Sequence, residues 1–184
     1  MNQQERIVQL LTKSFDDNKS VNFVAKQDVK RVKRIAFLMR YCYRLGKRYG
    51  KIYENEARTC CAIVIDSERK KSSFSDVVWD LKLVFKTIGL FRAGQVLKRE
   101  KVLKTYFPKE GFYHLWYVGV DVAEQGKGCG TSMVQQIVED ARKEGKVVQL
   151  ETSTVRNFTF YEKLGFSKIA EVSDFGYVIR VYRT

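Results

Sequence analysis

The chain has 184 residues, of which 45% are hydrophobic and one is a proline, and its formal net charge is +13 at pH 7. This length suits one domain with a sizeable core. No apolar run approaches the roughly 20 residues that span a bilayer, and the N-terminus lacks the pattern of a secretion signal. We therefore predict a single cytoplasmic domain over residues 1–184, with no membrane partner.

The four cysteines show no C-x-x-C spacing and no neighbouring histidine, since the chain contains a single histidine, His114. This arrangement argues against a zinc site and gives no disulfide framework. We expect no bound metal, and reduced thiols at Cys42, Cys60, Cys61 and Cys129.

The N-terminal segment predicts a helix followed by a short strand. Apolar residues at Ile7, Leu10 and Leu11 predict a helix over residues 4–14. The segment SVNFV then predicts a strand over residues 20–24.

A strongly basic amphipathic helix is predicted next, ending at about Leu45. Its apolar positions, among them Ile35 and Met39, have the spacing of one helix face. These basic residues have two interpretations: a solvated helix surface, or a contact for an anionic partner. The chain has no DNA or RNA motif that supports the second. The segment has one acid, Asp28, and its basic residues are Lys26, Lys30, Arg31, Lys33, Arg34, Arg40, Arg44, Lys47, Arg48 and Lys51.

Glycines mark the next boundaries. Gly46 and Gly50 predict a turn, and residues 51–66 then predict two strands with a hairpin near Asn55. Over residues 74–105 apolar positions return to helical spacing, which predicts two helices with a break between them.

From Phe112 the pattern predicts a strand, a helix, a strand, a helix and two final strands. The second of these strands, over residues 147–150, is mostly apolar and is predicted to be buried. The last two, over residues 166–172 and 177–182, predict an antiparallel end. The fold class is therefore α/β with a mixed sheet.

The loop between the first of these strands and its helix has the composition of a phosphate cradle. Three glycines in five residues let the backbone approach an anion, and the helix that follows begins with amide groups that lack carbonyl partners. The spacing matches neither the Walker pattern nor the dinucleotide fingerprint. The loop residues are Gln125, Gly126, Lys127, Gly128, Cys129, Gly130 and Thr131.

Two motifs together resemble the GNAT superfamily of N-acetyltransferases. The first is Q-x-x-G-x-G, from Gln125 to Gly130, after a strand that ends in VGVDV. The second is LETSTVRNFTFYEKLGF, over residues 150–166. The resemblance implies a mixed, mostly antiparallel central sheet flanked by helices, with splayed strands that form an acetyl-CoA cleft. It covers a core of about residues 112–183 and leaves residues 72–106 as a helical insertion.

The resemblance also implies roles for individual residues. Backbone groups of Val120 and Val122 would bind the pantetheine arm, the loop amides would bind the pyrophosphate, and Asn157 would contact the cofactor or cap its helix. The predicted cofactor-binding residues are Val120, Val122, Gln125, Gly126, Lys127, Gly128, Cys129, Gly130, Thr131 and Asn157.

The predicted catalytic residues are Tyr161 and Glu151. The resemblance implies that Tyr161 is the general acid, because a phenol stays protonated at neutral pH and can protonate a departing thiolate. Glu151, at the end of the strand beside the cleft, is the candidate general base, with a structural carboxylate as the alternative. For His114 we expect packing.

The predicted activity is transfer of an acetyl group from acetyl-CoA to a primary amine, by direct attack in a ternary complex. A small-molecule acceptor is expected. The alternative is a non-catalytic module that binds acyl-CoA or a polyanion such as nucleic acid. We do not expect a nucleic-acid partner, and a homodimer stays open. The helical insertion either walls the acceptor pocket or only covers the sheet.

Overall fold

The computed structural model describes residues 1–71 and 73–184; residue 72, where the predicted insertion begins, lies outside the described residues. A π-helical turn, Val84–Ile88, and a 3-10 turn, Val122–Glu124, supplement the main elements. These are, in chain order, α1 (Gln3–Ser14), α2 (Lys19–Val24), α3 (Arg31–Tyr49), β1 (Gly50–Glu54), β2 (Cys60–Asp66), α4 (Phe74–Leu83), α5 (Leu90–Lys104), β3 (Phe112–Val120), α6 (Cys129–Lys143), β4 (Val147–Thr152), α7 (Arg156–Lys163), β5 (Ser167–Val172) and β6 (Ile179–Arg183).

The six strands form one sheet with the order β1-β2-β3-β4-β6-β5. Neighbouring strands are antiparallel except β3 and β4, which are parallel. A parallel pair needs a crossover, and α6 lies in that connection. The predicted fold class, a mixed and mostly antiparallel sheet flanked by helices, is confirmed.

The two parallel strands separate soon after they begin. They pair at three positions, the last of which joins His114 to Gln149. Beyond that point β3 stays with β2 as far as Val120, and β4 stays with β6 as far as Thr152. The ladder between β2 and β3 also skips Trp116, and such a bulge bends a strand. The C-terminal halves of β3 and β4 therefore leave a gap between them.

Helices cover both faces of the sheet. The core that α6 and α7 form on one face includes Val134, Val148 and Leu150. The core that α1, α2 and α3 form on the other face includes Ile35 and Ile63. The gap between β3 and β4 thus opens between two helical layers.

The cysteines are free thiols, and Cys42, Cys60 and Cys61 are buried. None of the described helices is long and apolar enough to cross a membrane. Residues 1–71 and 73–184 contain no group of three or more His, Cys, Asp or Glu side chains that could hold a metal ion.

Two predictions for the N-terminal segment are wrong. Residues 20–24 belong to helix α2, because Asn18 caps it by accepting a hydrogen bond from the Val21 amide, at 3.0 Å. The turn predicted at Gly46 and Gly50 is absent from the described structure, since α3 runs through Gly46 to Tyr49 and β1 begins at once.

Close packing explains why glycine occupies these two positions. A Cβ at Gly46 would lie 2.7 Å from the side chains of Ile52 and Ile63, so its absence lets α3 approach the sheet. A Cβ at Gly50 would overlap the carbonyl oxygen of Val64 on the neighbouring strand.

The two helices predicted over residues 74–105 are confirmed as α4 and α5. The break lies at the π-helical turn and Gly89, whereas Gly94 lies inside α5. That the pair is an insertion relative to smaller relatives stays a prediction.

We predict that Gly50→Ala lowers the free energy of unfolding by about 2 kcal/mol or more, because the added methyl group must displace backbone. Gly94→Ala is the matched control: no atom lies within 4 Å of its Cβ position, so alanine should stabilise α5 by about 0.5–1 kcal/mol. Urea unfolding measures both. Equal effects of the two substitutions would contradict the packing of β1 on β2 described above.

Candidate functional site

The loop between β3 and α6 exposes backbone amides at a helix N-terminus. Gly126 and Gly128 have φ angles of 81° and 84°, a left-handed conformation that strains other residues. Helix α6 then begins at Cys129 with no side-chain cap. Its first N–H groups have no intrahelical acceptor, and the helix dipole adds positive potential there. A pyrophosphate-sized anion therefore fits this end of α6.

The side chains of this loop do not cover its backbone amides. A Cβ at Gly128 would have no atom of the described residues within 4 Å. The exposed Lys127 ammonium lies 3.0 Å from the Glu124 carboxylate. The Cys129 sulfur lies 3.5 Å from the side-chain amide of Asn55, in the hairpin between β1 and β2. Cys129 thus contributes its backbone to the loop, while its thiol contacts the hairpin.

Strand β3 offers further backbone groups to the gap. The Asp121 amide donates to the Thr59 carbonyl at 2.8 Å. Because an antiparallel ladder alternates, the N–H and C=O of the preceding residue, Val120, point away from β2 and toward the gap, and so do those of Val118. The hydroxyl of Ser14 donates to the Val120 carbonyl at 3.0 Å, so the amide is the group left for a ligand.

Val122 does not continue this alternation. The strand ends at Val120, and Val122 begins the 3-10 turn. The strand therefore ends two residues before Val122, and the second strand residue whose backbone faces the gap is Val118. A contact of Val122 with the cofactor stays a prediction. The Gln125 side chain lies near the strand end, with its amide nitrogen 3.5 Å from the Val120 carbonyl oxygen.

His114 and Glu151 form a partly buried pair where β3 and β4 separate. Nε2 of His114 lies 2.7 Å from Oε2 of Glu151, and the two side chains are 15% and 11% exposed. The ring of His114 also lies between those of Phe107 and Trp116, at centroid distances of 5.1 and 6.2 Å. The sequence favours a packing role over a catalytic role for His114, and it gives no sign of the carboxylate that the β3–β4 pairing brings to the ring.

Glu151 is held in its charged form. Burial alone would raise the pKa of this carboxyl, but the charge and hydrogen bond of His114, the amide of Gln149 and the charge of Arg99 outweigh burial, so the pKa is lowered. A carboxylate that stays charged at neutral pH can orient the imidazole and stabilise a proton on it.

Tyr161 lies on α7, in the core of the opposite face. Its ring contacts those of Phe160, Phe166 and Tyr182. Burial raises the pKa of this phenol, which keeps it protonated at neutral pH. Within the described part of the chain, the Tyr161 hydroxyl has no hydrogen-bond partner. Among the described residues, the side-chain oxygen that is both fully enclosed and without a partner belongs to Tyr113, so the Tyr161 oxygen is not fully enclosed. The Tyr161 hydroxyl therefore retains contact with solvent.

The two predicted catalytic side chains lie on opposite faces of the sheet. Leu150 belongs to the same core as Tyr161, and adjacent strand residues point to opposite faces, so Glu151 points toward the other layer. Helix α5 lies on the face toward which Glu151 points, since its Leu103 packs with Val181, the residue that pairs with Glu151 between β4 and β6. Arg99 of α5 donates to the Tyr177 hydroxyl at 2.9 Å. Tyr161 and the His114–Glu151 pair therefore lie on opposite faces of the sheet.

Asn157 does not cap α7. The helix begins at Arg156, its N-cap position is Val155, and no side-chain hydrogen bond caps it. The capping role is therefore wrong, while the predicted contact of Asn157 with the cofactor stays a prediction.

Residues 88–168 match the family described as the acetyltransferase (GNAT) domain. This range contains α5, β3, the glycine loop, α6, β4 and α7. The site described above thus lies almost entirely within the matched residues.

Several solved structures share the fold. One, described as histone acetyltransferase HPA2 and related acetyltransferase from Corynebacterium glutamicum, aligns with a TM-score of 0.68 at 14% identity over 100% of this chain and 92% of its own. The C-terminal condensation domain of Ebony, in complex with beta-alanyl-dopamine, aligns with a TM-score of 0.65 at 8% identity over 98% of this chain and 93% of its own.

Arylalkylamine N-acetyltransferase 2 from Aedes aegypti aligns with a TM-score of 0.64 at 14% identity over 98% of this chain and 93% of its own. Identities this low show the fold alone. Together with the domain match, they confirm the resemblance to the GNAT superfamily of N-acetyltransferases.

We predict that Glu151→Gln lowers the free energy of unfolding at neutral pH and that the difference from the wild type shrinks in acid. The folded-state pKa of Glu151 is lowered, so its contribution is present above the unfolded value of about 4.3 and is lost as pH falls through the folded-state value. Urea unfolding between neutral pH and about pH 3 measures this difference.

Glu171→Gln serves as the control. Glu171 pairs with Arg180 at 2.7 Å on the exposed surface, so salt should remove the effect of that substitution but leave the effect of Glu151→Gln. A Glu151→Gln difference that is independent of pH, or that salt abolishes, would mean that the pair with His114 is not formed as described.

Proposed function

We propose that this GNAT-fold protein transfers an acetyl group from acetyl-CoA to a primary amine of a small molecule, by direct attack in a ternary complex. The observation that carries the proposal is the gap between β3 and β4. The uncapped start of α6 lies beyond the end of β3. Tyr161 and the His114–Glu151 pair would lie on opposite sides of this gap.

The chain's backbone supplies the groups that would hold the cofactor. The amides from Gln125 to Thr131 would bind the pyrophosphate at the start of α6. The gap-facing groups of Val118 and Val120 would bind the pantetheine arm. When bound, acetyl-CoA supplies an acetyl thioester whose carbonyl carbon accepts the amine. An amide of β3 near Val120 would polarise that carbonyl.

The His114–Glu151 pair would take the proton from the amine. With Nε2–H of His114 donating to the Glu151 carboxylate, Nδ1 is left as the proton acceptor. Glu151 would then act through the imidazole as a positioning and charge-stabilising residue. The alternative within the same pair is transfer of the proton to the Glu151 carboxylate, either directly or through a water molecule.

Tyr161 would supply the proton to the departing sulfur. Its raised pKa keeps the phenol protonated until a thiolate develops beside it. Because Tyr161 and the His114–Glu151 pair lie on opposite faces, the amine would lose its proton on one side while the sulfur gains one on the other.

The acceptor amine would bind on the face of the sheet on which α2 and α5 lie. Arg99 joins α5 to Ser20 of α2 at 3.0 Å, and the Ser20 amide donates to the Ser153 hydroxyl, at 3.3 Å, just after β4. These contacts support a role for α5 in walling the acceptor site. The solved structures with this fold are named for different acceptors, so the fold alone selects none.

The alternative of a polyanion-binding module is weakened by the ion pairs of the basic helix. Arg31 pairs with Asp16 at 2.7 Å, and Arg34 pairs with Asp28 at 2.6 Å. Arg44 and Arg48 both lie within 4.0 Å of a single carboxylate on α4. Much of the positive charge that the sequence concentrates in α3 is therefore already neutralised within the protein.

We predict that Gly128→Ala weakens acetyl-CoA binding about tenfold, because alanine displaces the amides at the start of α6 and the loss of one charge-assisted hydrogen bond is about 1.4 kcal/mol. Gly145→Ala is a closely matched control. Gly145 follows the other end of α6, has a φ of 68°, and likewise has no atom within 4 Å of its Cβ position.

Isothermal titration calorimetry with acetyl-CoA measures both variants, and urea unfolding checks that they lose similar stability. Equal loss of affinity in the two variants, or none in either, would remove the loop from the proposed cofactor site.

We predict that Tyr161→Phe lowers kcat about a hundredfold while the Kd for acetyl-CoA changes less than about twofold, because only the proton donor is lost. Release of free thiol from acetyl-CoA, followed with a panel of arylalkyl, alkyl and amino-acid amines, measures the turnover. Tyr182→Phe is the control: the Tyr182 hydroxyl donates to Glu162 at 2.8 Å, so its loss should affect stability alone.

A wild type that binds acetyl-CoA but acetylates no amine of the panel would favour the non-catalytic alternative. A Tyr161→Phe variant with unchanged kcat would remove Tyr161 from the mechanism but leave the cofactor site intact.

A further inference from the structure

Helix α4 and the turn that follows it present an apolar face to solvent. Phe74, Val77, Leu81 and Phe85 recur at spacings of three and four residues, which is one side of a helix. All four are exposed, Phe74 by 85% and Phe85 by 61%, and no residue of α4 is buried. These four residues are the α4 apolar face. Isolated exposed apolar residues are ordinary, but an aligned row marks a contact surface.

The same character continues into α5. Leu90, Phe91 and Leu97 are exposed by 61%, 103% and 68%. Residues 74–97 thus hold seven large apolar side chains that no other part of the described chain covers.

The acids of this segment are paired with side chains of the protein. Asp76 accepts from the Arg44 guanidinium at 2.8 Å, and Asp80 accepts from the Tyr41 hydroxyl at 2.6 Å. Glu100 pairs with Arg99 beside it, at 2.7 Å. The carboxylates of α4 and α5 are therefore committed to contacts within the protein.

The lysines of this segment remain on the outside. Within the described part of the chain, none of them forms a salt bridge, and all are exposed: they are Lys82, Lys86, Lys98, Lys101 and Lys104. The outward surface of α4 and α5 therefore combines bulky apolar side chains with unneutralised positive charge.

We propose that the α4 apolar face and the lysines beside it bind an anionic lipid surface. An amphipathic helix with aromatic and aliphatic residues on one side and lysines at its edge lies in the plane of such a surface, with the apolar side chains in the acyl boundary and the ammonium groups at the headgroups.

A second copy of this chain fits the face less well. A twofold contact would bring Lys82 and Lys86 toward their counterparts in a protein of net charge +13. Nucleic acid would meet the lysines but would leave the apolar row without a partner. The sequence predicts no membrane partner because it lacks a spanning segment. That prediction concerns crossing of the bilayer, whereas binding to its surface needs only one helix face.

Binding to vesicles tests the proposal. Flotation of the full chain with phosphatidylcholine vesicles, and with vesicles that also contain phosphatidylglycerol, should give binding only to the second at moderate salt. Leu81→Gln with Phe85→Gln should lower the partition coefficient by at least about tenfold, because two buried apolar side chains are lost. Lys82→Gln with Lys86→Gln should lower it about fivefold for each lysine.

Ile169→Gln with Lys163→Gln is the matched control, since both side chains are exposed on other elements and the double variant should bind as the wild type does. Circular dichroism confirms that all variants are folded. The proposal is overturned by absent binding, by equal binding to both vesicle types, or by an equal loss in the control. It is also overturned if the wild type forms a dimer in solution that Leu81→Gln with Phe85→Gln abolishes.

Discussion

The pairing of β3 with β4 ends at His114 and Gln149, and the rest of the site depends on this early end. A continuous ladder would satisfy the backbone groups of both strands and leave nothing for a ligand. Because the strands separate, the backbone groups of Val118 and the amide of Val120 face the gap and do not pair with β4. The alternation of side chains along β4 places Glu151 on the face of the sheet opposite to Tyr161.

Charge placement follows from this geometry. The uncapped start of α6 offers fixed backbone donors to a phosphate, whereas the partly buried carboxylate of Glu151 is stabilised by the His114 imidazole at 2.7 Å, by the amide of Gln149 and by the charge of Arg99. Arg99 brings α5 into the same electrostatic environment. Helix α5 therefore lies on the same face of the sheet as Glu151, while α4 exposes its apolar residues to solvent.

The sequence predicted the C-terminal half well because strong local signals coincide there: the glycine loop, the strand that ends in VGVDV and the FYEKLGF helix. It failed where a tertiary contact decides. Residues 20–24 include Val21, Phe23 and Val24, which favour a strand, yet they form a helix that Asn18 caps and whose Val21 packs in the core with α1 and α3. Gly46 continues a helix because α3 packs on Ile52 and Ile63. The contact of His114 with Glu151 joins residues 37 apart and has no local sequence signal.

Amide hydrogen exchange over residues 112–131 tests most directly whether the gap is the cofactor site. With acetyl-CoA added, the amides of Val118, Val120 and the residues from Gly128 to Thr131 should exchange more slowly, because the arm and the pyrophosphate accept hydrogen bonds from them. NAD at the same concentration should give no such protection. Unchanged exchange at these positions under saturating acetyl-CoA would contradict the account.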